Sequence, residues 1–445
     1  MKNQILISNK IKPFDKQIFV SGDKSLSIRC VLLASQAIGK SKIYNLLESE
    51  DVISALKCIE RLGIIYKKKK NYYEINGLGI NGYDQRKKIK INAGNSGTLA
   101  RLILGLLVNF KNKVTLVGDR SLSQRDFSRV TEPLKMFGAE INSKNKKLPV
   151  EINGSEFLRP INYFENLGSA QCKSSVMFAS LKCPGLTKIK AKKSRNHTEI
   201  FFKNLNIPIK LKNKGKYDNI VVNGVANYRG FNYRVPGDIS SCSFFIVLTI
   251  LNKNSKLIIR NVNVNSTRTG IVKILNKMNA KIKFKNIRNY KGELIADIEV
   301  KSCKNLKAIN CPEYLNSSAI DEFVIIFLVA AKSKGISTFK NLGELEKKES
   351  PRLTVAVNFL KEIGIKVSRK KNNVKIYGQP GLELNGNYII KNFQKDHRIF
   401  MMSCVAALTL GGNWKLFDRD SINSSFPDFF NVLKKLGVNL NWEEE

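Results

Sequence analysis

Six short polar clusters stand where helices are expected to begin, and most of them combine cations with small polar residues. They are centred on Lys24, Ser25 and Arg29; on Gly97; on Ser169, Ala170 and Gln171; on Asp238; on Asp321; and on Arg398. The first turn of a helix exposes unpaired backbone N–H groups and the positive end of the helix dipole. Added lysine and arginine side chains strengthen that field, so the clusters predict a site for a strongly anionic small molecule. For each cluster alone, the alternative is an ordinary helix cap.

A repeated pattern of elements positions these clusters. An amphipathic helix, then Gly or Asn, then a short Ile/Val strand occurs at 51–66, 128–141, 197–209, 267–282, 351–367 and 427–440. The residues expected to end these helices in the left-handed conformation are Gly63, Gly138, Asn206, Asn279, Gly364 and Gly437. Their spacing of about 70–85 residues predicts six copies of one α/β unit. Each copy also contains a second, more apolar helix that begins at one of the polar clusters.

The length and composition predict two domains. The chain has 445 residues, of which 43% are hydrophobic, and that length exceeds one ordinary core. Pro236 and Gly237 mark a break in VPGDISS, and the similar phrase VSGDKSLS at 20–27 marks a second crossing. The predicted domains are therefore residues 1–22 plus 241–445, and residues 23–240, with three repeats in each.

The formal charge of +40 is compatible with a nucleic-acid partner, but the lysines are spread along the chain and form no basic stripe. We therefore expect solvated surface lysines. No apolar run reaches the roughly 20 residues that would span a bilayer, and the N-terminal residues lack the features of a signal peptide. Eight cysteines without a CxxC pair, together with only two histidines, predict reduced thiols in the cytoplasm and no metal site.

Motifs from Ser21 to Gly437 resemble the enolpyruvyltransferase family, and within it the 5-enolpyruvylshikimate-3-phosphate (EPSP) synthases. The matching segments are GDKS (22–25), GNSGT (94–98), GDRSLSQR (118–125), SAQCK (169–173), SRNHTE (194–199), VPGDIS (235–240), NSTRTG (265–270), IDEF (320–323), KKESPR (347–352), DHRI (396–399) and SFPDF (425–429). The forms GDK, SAQxK and RxHxE are similar to the class II branch of that family.

The resemblance implies an α/β fold of two domains, each with three βαβαββ units in an inside-out barrel, and an active site in the cleft between them. It implies transfer of the enolpyruvyl group of phosphoenolpyruvate to the 5-hydroxyl of shikimate 3-phosphate by addition and elimination, in the pathway to chorismate and aromatic amino acids. It implies no metal or organic cofactor. The expected partners are these two small molecules, with no nucleic acid and no membrane, and the chain is expected to be a monomer.

The resemblance also carries roles to individual residues. Asp321 matches the base near the 5-hydroxyl, Glu349 matches the group that handles the C3 proton, and Lys24 matches a residue that reaches both substrates. Contacts to shikimate 3-phosphate are implied for Lys24, Ser25, Arg29, Ser169, Ala170, Gln171, Arg195, Asp321 and Lys348. Contacts to phosphoenolpyruvate are implied for Lys24, Gly97, Arg125, Gln171, Arg352 and Arg398. Which of Lys24 and Glu349 is the acid in each half-reaction stays open.

Three positions distinguish this chain within the family pattern. Pro351 replaces the usual Asp before Arg352, and proline fits the first turn of a helix, so Arg352 is expected to keep its place. Ser424 stands where another branch has a ligand-binding lysine, so that role is not carried over. Gly97 stands where class II enzymes tolerant of the inhibitor glyphosate have Ala, which implies that this chain is inhibited.

Three alternatives remain beside this interpretation. UDP-N-acetylglucosamine enolpyruvyltransferase shares the fold, but it usually has Asn after the first lysine and a loop cysteine, whereas this chain has Ser25 and a GDRSLSQR loop without cysteine. A basic α/β protein that binds nucleic acid is a second alternative, although aromatic-basic motifs are missing. A catalytically inactive homologue, with Pro351 as its one unusual site residue, is a third.

Overall fold

The computed structural model describes residues 4–84, 88–391 and 393–439. The strands in these ranges are β1 (Gln4–Ile7), β2 (Asp15–Phe19), β3 (Ile38–Tyr44), β4 (Ile65–Lys68), β5 (Tyr72–Leu78), β6 (Ile89–Asn92), β7 (Val114–Val117), β8 (Glu140–Ser143), β9 (Val150–Asn153), β10 (Asn162–Glu165), β11 (Leu186–Lys192), β12 (Ile209–Lys214), β13 (Tyr217–Asn223), β14 (Asn232–Arg234), β15 (Lys256–Asn263), β16 (Lys281–Tyr290), β17 (Glu293–Lys301), β18 (Gly335–Phe339), β19 (Val367–Lys370), β20 (Asn373–Gly378), β21 (Asn387–Ile390) and β22 (Asn413–Phe417).

The helices alternate with these strands. They are α1 (Lys24–Gln36), α2 (Glu50–Arg61), α3 (Gly97–Leu106), α4 (Arg120–Ser123), α5 (Ser128–Met136), α6 (Ala170–Ser180), α7 (His197–Asn204), α8 (Ile239–Leu251), α9 (Gly270–Lys277), α10 (Asn316–Ala319), α11 (Phe323–Ala331), α12 (Arg352–Glu362), α13 (His397–Leu410) and α14 (Phe429–Lys435). Short 3-10 helices lie at Lys144–Lys146, Glu313–Leu315, Gly343–Lys347 and Arg419–Ser424.

The strands of the described residues form six sheets with related pairing patterns. In the sheet β6-β7-β9-β8, β6 is parallel to β7, and β9 is antiparallel to both β7 and β8. The other sheets have the orders β10-β11-β13-β12, β14-β3-β5-β4, β16-β17-β15-β2, β18-β20-β19 and β1-β22-β21. Each contains an antiparallel pair, and each except β18-β20-β19 also contains a parallel pair of named strands. The predicted α/β fold with six repeats is therefore confirmed.

The chain divides into two compact units, each of which contains three of the sheets. Unit 1 consists of residues 1–21, 236–289 and 294–445, and unit 2 of residues 22–235 and 290–293. Strands distant in sequence complete the sheets: β14 pairs with β3 in unit 2, and β1 pairs with β22 in unit 1. The division falls before Pro236, whereas the sequence predicts a boundary after Ser240. In addition, the tip of the β16–β17 hairpin, residues 290–293, belongs to unit 2.

The second helix of each repeat lies in the core. In unit 2, α3 packs against α1 and α6, and in unit 1, α8, α11 and α13 pack against one another. Every residue of α8 and of α11 is buried, as expected for helices that are apolar on all sides. Burying one large apolar side chain contributes about 1.5–3 kcal/mol, so these helices are a main source of stability.

The other helix of each repeat is amphipathic and ends as the sequence predicts. In α2, for example, Val52, Ala55, Leu56 and Ile59 form one buried face. All six predicted end residues have positive φ, with values of 90° at Gly63, 111° at Gly138, 56° at Asn206, 73° at Asn279, 82° at Gly364 and 92° at Gly437. The left-handed residue turns the chain back toward its own helix. Leu440, the last residue of the sixth predicted repeat, lies outside the described residues.

All eight cysteines are free thiols, and seven of them are buried. Burial raises the pKa of the Cys58 thiol to about 12, although its hydrogen bond to the Asn92 carbonyl opposes the shift, so this thiol stays protonated at neutral pH. Within the described ranges, no helix has the length and apolar character needed to cross a membrane.

Candidate active site

Five of the six core helices begin with a side chain that accepts a hydrogen bond from the helix's own backbone. The capping residues are Asp23, Ser96, Ser169, Asp238 and Asp396. The sixth core helix, α11, has Glu322 at this position without such a bond. Five polar clusters therefore do contain helix caps, and the caps leave the neighbouring cations available for other contacts.

In unit 2, one group of predicted residues joins the starts of α3 and α6. Gln171 Oε1 accepts a hydrogen bond of 2.9 Å from Arg101 Nη1, and Gln171 Nε2 donates one of 2.9 Å to Thr98 Oγ1. Arg101 Nη1 also donates to the Gly97 carbonyl oxygen at 3.2 Å, and its guanidinium lies 5.2 Å from the centre of the Phe127 ring. The amide of Gln171 is thus fixed by two groups of the neighbouring repeat.

Arg125 reaches the same group from the segment after α4. Its Nη2 donates to Asn95 Oδ1 at 3.0 Å and to Ser121 Oγ at 3.3 Å. A Cβ atom placed on Gly97 would lie 2.7 Å from Arg101 Nη1 and 2.9 Å from Arg125 Nη1. The absence of a side chain at Gly97 therefore lets two guanidinium groups approach the first turn of α3.

A second group in unit 2 surrounds Arg29, which is buried. Its Nε donates to Thr198 Oγ1 at 2.8 Å, its Nη2 to Ser174 Oγ at 3.0 Å, and its Nη1 to the Ser25 carbonyl oxygen at 3.0 Å. Helices α1, α6 and α7 all contribute to this arrangement. Every one of these acceptors is neutral, so the positive charge of Arg29 is solvated but not compensated by them.

The remaining predicted residues of unit 2 lie at other element starts. Lys24 is the first residue of α1, and its Nζ pairs with Asp51 Oδ2 of α2 at 2.9 Å. Ser169 caps α6 by accepting a hydrogen bond of 3.3 Å from Cys172 N, and Ala170 begins that helix. Arg195 is half-buried in the segment between β11 and α7.

Unit 1 brings together all five of its predicted site residues. Asp321 Oδ1 lies 3.0 Å from Lys348 Nζ and 3.6 Å from Arg352 Nη1, and Arg398 Nη1 donates to the Asp321 carbonyl oxygen at 3.1 Å. Arg352 Nη2 donates to Glu349 Oε2 at 2.5 Å. Two carboxylates therefore share one guanidinium, with a lysine and a second arginine beside them.

The helix that the Asp321 cluster was predicted to open begins just after the cluster, with Glu322 as its N-cap residue. Asp321 lies in the turn between α10 and α11, and α11 begins two residues later at Phe323. The turn is closed by a hydrogen bond of 2.9 Å from Glu322 N to the Ala319 carbonyl oxygen. Arg398 holds this turn by donating a hydrogen bond to the backbone carbonyl of Asp321, and the Asp321 carboxylate projects from the turn.

Arg352 is the first residue of α12 and directly follows Pro351. Pro351 precedes the first residue of α12, and its carbonyl accepts the hydrogen bond from Val355 N at 3.0 Å. Arg352 is only 1% exposed, and its Nε donates to Asp396 Oδ2 at 2.9 Å. Burial raises the pKa of the Asp396 carboxyl, but the Arg352 and His397 charges outweigh burial and hold this pKa below its usual value.

Ser424 stands where another branch of the family has lysine. Its hydroxyl donates to the Ser421 carbonyl oxygen at 2.8 Å and lies 3.2 Å from His397 Nδ1. Since the hydroxyl proton is directed at the carbonyl, Nδ1 of His397 acts as the donor in the second contact. Ser424 therefore belongs to a local hydrogen-bond network at the start of α13.

Comparison with known proteins assigns the family. A family model described as EPSP synthase (3-phosphoshikimate 1-carboxyvinyltransferase) matches residues 8–433. The chain belongs to this family. The 3-phosphoshikimate 1-carboxyvinyltransferase of Zymomonas mobilis is 35% identical over 97% of this chain and 96% of its own length. The corresponding protein of Lactococcus lactis is 37% identical over 95% of this chain and 96% of its own.

Solved structures support the same assignment. EPSP synthase from Acinetobacter baumannii superposes with a TM-score of 0.86 at 32% identity, over 98% of this chain and 99% of that one. The enolpyruvyl transferase NikO from Streptomyces tendae superposes with a TM-score of 0.77 at 13% identity, which shows a shared fold alone. The predicted membership in the EPSP synthase family is confirmed.

Three residues stand in the polar clusters noted in the sequence but were assigned no individual role in the site. Arg101 and Thr98, which fix Gln171, stand in the motif GNSGTLAR, and Asp396, which holds Arg352, stands next to His397. Arg101 follows Gly97 by one helical turn, and that spacing was available as a signal. The pairing of Asp396 with Arg352 spans 44 residues, and no local pattern indicates it.

Proposed function

We propose that this EPSP synthase family member transfers the enolpyruvyl group of phosphoenolpyruvate to the 5-hydroxyl of shikimate 3-phosphate and releases phosphate. The observation that carries the proposal is the arrangement around Asp321. Its carboxylate lies 3.0 Å from Lys348 Nζ and 3.6 Å from Arg352 Nη1, and Arg352 also holds Glu349. Two acids beside three cations fit a reaction that moves protons while it binds phosphates and carboxylates.

In the proposed addition step, the Asp321 carboxylate accepts the proton of the 5-hydroxyl, and the oxygen bonds to C2 of phosphoenolpyruvate. At the same time C3 receives a proton, for which Glu349 and Lys24 are the candidates. In the elimination step, a C3 proton leaves, the bond between C2 and the phosphate oxygen breaks, and the double bond forms again. A positioned base or acid typically contributes about 10²–10⁴-fold to such steps.

The proposed anion ligands differ in how far they are already engaged. Arg125 donates to the neutral groups of Asn95 and Ser121, so its charge is available to phosphoenolpyruvate. Arg352 contacts Asp396, Glu349 and Asp321, and substrate binding through Arg352 requires competition with at least one of these carboxylates. Arg398 lies farther from its neighbouring carboxylates, at 3.8 Å from Glu322 Oε1 and 4.0 Å from Asp321 Oδ2. We therefore propose that Arg125 and Arg398 are the main anion ligands, and that Arg352 chiefly holds the two acids in place.

The finer predictions of location and assembly stay predictions. They are a monomeric, cytoplasmic protein without a nucleic-acid partner, and substrates bound between the two domains. Family membership supports small-molecule substrates and disfavours the nucleic-acid alternative. It likewise favours shikimate 3-phosphate over a UDP-sugar as the acceptor.

The proposal is tested by measuring phosphate release from purified protein with both substrates and with each omitted in turn. Phosphate release that requires both shikimate 3-phosphate and phosphoenolpyruvate is the expected result. UDP-N-acetylglucosamine offered in place of shikimate 3-phosphate should give no release. The proposal would be contradicted by phosphate release with UDP-N-acetylglucosamine but not with shikimate 3-phosphate, or by no phosphate release under any condition.

A further inference from the structure

Glu322 differs from the residues at the same position of the other core helices. Asp23, Ser96, Ser169, Asp238 and Asp396 each accept a hydrogen bond from their own helix, whereas Glu322 makes no such bond. The Glu322 side chain is buried. A buried carboxylate is strongly disfavoured unless it is paired and hydrogen-bonded, so its partners indicate what it does.

The partners of Glu322 connect it with the start of α8. Ser240 Oγ donates a hydrogen bond to Glu322 Oε1. Ser240 Oγ in turn accepts one of 3.0 Å from Arg268 Nη2, and the same nitrogen pairs with Asp238 Oδ1 at 2.9 Å. Arg268 and Asp238 are both buried, so a buried network of hydrogen bonds lies behind the Glu322 carboxylate.

On its other side Glu322 faces Arg398. Arg398 Nη1 lies 3.8 Å from Glu322 Oε1 and donates to the Asp321 carbonyl oxygen at 3.1 Å. Arg398 Nη2 lies 4.0 Å from Asp321 Oδ2. The Asp321–Glu322 turn therefore holds one edge of the Arg398 guanidinium. Because the guanidinium group is planar, this also fixes the direction in which its other edge points.

We propose that Glu322 is a positioning residue that orients the Arg398 guanidinium for phosphoenolpyruvate, with Ser240, Arg268 and Asp238 holding Glu322 in turn. The proposal rests on the proposed function, in which Arg398 binds that substrate. It assigns Glu322 no proton transfer and no substrate contact. Its effect is preorganisation: without the carboxylate, Arg398 samples other directions and binds the anion less well.

The first test is Glu322→Gln, which keeps the shape of the side chain and removes its charge. The KM for phosphoenolpyruvate should rise about tenfold, while kcat and the KM for shikimate 3-phosphate change by less than about threefold. The matched control is Asp297→Asn in the same unit, because Asp297 is also a buried carboxylate paired with an arginine, Arg260, at 2.7 Å. This control should lower thermal stability and leave both KM values unchanged.

A double-mutant cycle separates positioning from a general structural role. In an Arg398→Ala background, Glu322→Gln should raise the KM for phosphoenolpyruvate by less than about twofold, because there is no guanidinium left to orient. Ser240→Ala, which removes only a hydroxyl, provides a second variant if Glu322→Gln does not fold. It should raise the same KM about threefold in the wild type and should have no effect without Arg398.

Two results would overturn the proposal. One is an unchanged KM for phosphoenolpyruvate in Glu322→Gln or, if that variant does not fold, in Ser240→Ala. The other is an effect of the same size with and without Arg398. Failure of the proposed function is a separate outcome, because it would show as missing phosphate release in the wild type and in Asp297→Asn alike.

Discussion

The two units hold their candidate cations with different kinds of partner. In unit 2, Arg29 donates to hydroxyl and carbonyl oxygens and Arg125 to an amide and a hydroxyl. In unit 1, Arg352 is surrounded by three carboxylates. Neutral partners orient a guanidinium without cancelling its charge, whereas carboxylates balance that charge. We therefore propose that the arginines of unit 2 serve mainly to bind anions, whereas unit 1 combines an anion ligand, Arg398, with the acidic groups Asp321 and Glu349.

The pairing of Lys24 with Asp51 at 2.9 Å is an exception in unit 2. Here a candidate ligand is held by a carboxylate at the start of another helix. Because Asp51 also lies in the first turn of α2, the helix dipole stabilises it when Lys24 turns toward a substrate. Lys24 is therefore the residue of unit 2 best suited to exchange one anionic partner for another.

The largest effect is expected for Asp321→Asn. The change removes the proposed base and preserves its shape, so kcat should fall about 10²–10⁴-fold while substrate affinities change little. Steady-state phosphate release and calorimetric titration of each substrate measure the two quantities. The matched control is Asp420→Asn, an acid in the Arg419–Ser424 segment of the same unit. Full activity in Asp321→Asn would contradict the assignment of acid–base chemistry to unit 1.

The next-largest effect is expected at two arginines, Arg125 in unit 2 and Arg398 in unit 1. Arg125→Ala and Arg398→Ala each remove charge-assisted hydrogen bonds of about 1.5–3 kcal/mol, so each should raise the KM for phosphoenolpyruvate about 10–100-fold. Arg125→Ala leaves only neutral partners behind, whereas Arg398→Ala takes a cation from the buried Glu322. Scanning calorimetry should therefore show a melting temperature below that of the wild type for Arg398→Ala but not for Arg125→Ala. A selective loss of shikimate 3-phosphate affinity would instead reverse the ligand assignments.

A third comparison concerns lysines at the far ends of two core helices. Lys182, just after α6, lies over the Tyr83 ring at 5.2 Å, and burial lowers its pKa from 10.5 to about 7. Lys332, just after α11, instead lies 3.7 Å from the carboxylate of Glu383. Between pH 7 and pH 10.5 the unfolded chain holds a proton on Lys182 that the folded chain lacks, so stability rises with pH in this window.

Lys182→Met should therefore stabilise the protein most below about pH 7, where the folded wild type carries the buried charge. The advantage should shrink by up to about 1.4 kcal/mol for each pH unit above that. Urea denaturation at several pH values measures it. Lys203 of α7, which is exposed, provides the control Lys203→Met, which makes the same substitution outside the core. A Lys182→Met variant that behaves like this control would show that Lys182 is not buried as described.

The smallest effect is expected at Gly97. Glyphosate should inhibit the wild type competitively with phosphoenolpyruvate, and Gly97→Ala should relieve that inhibition. The new methyl would meet Arg101 Nη1 at 2.7 Å and Arg125 Nη1 at 2.9 Å, so both guanidinium groups must shift, and the KM for phosphoenolpyruvate should rise a few-fold. Gly381→Ala, where a Cβ meets nothing within 4 Å, is the control. Equal inhibition curves for wild type and Gly97→Ala would exclude this steric explanation.

Features that depend on near neighbours in the sequence were predictable. Gly63 and Asn206 end their helices in the left-handed conformation because the local chain demands it, and the repeat of such ends predicts six units. Contacts between repeats were not predictable in this way. Arg29 and Thr198 are 169 residues apart and Arg352 and Asp396 are 44 apart. These pairings follow from how the repeats pack, and no local periodicity records them.

The most direct test of the account follows hydrogen at C3 of the enolpyruvyl group. If addition precedes elimination, C3 is briefly a methyl group that contains one proton from the solvent. Reaction in deuterated water should therefore place deuterium at C3 of the product, detected by mass spectrometry, and only when shikimate 3-phosphate is present. Because the three hydrogens of a rotating methyl group exchange places before one of them leaves, a product with no deuterium at C3 would contradict the account.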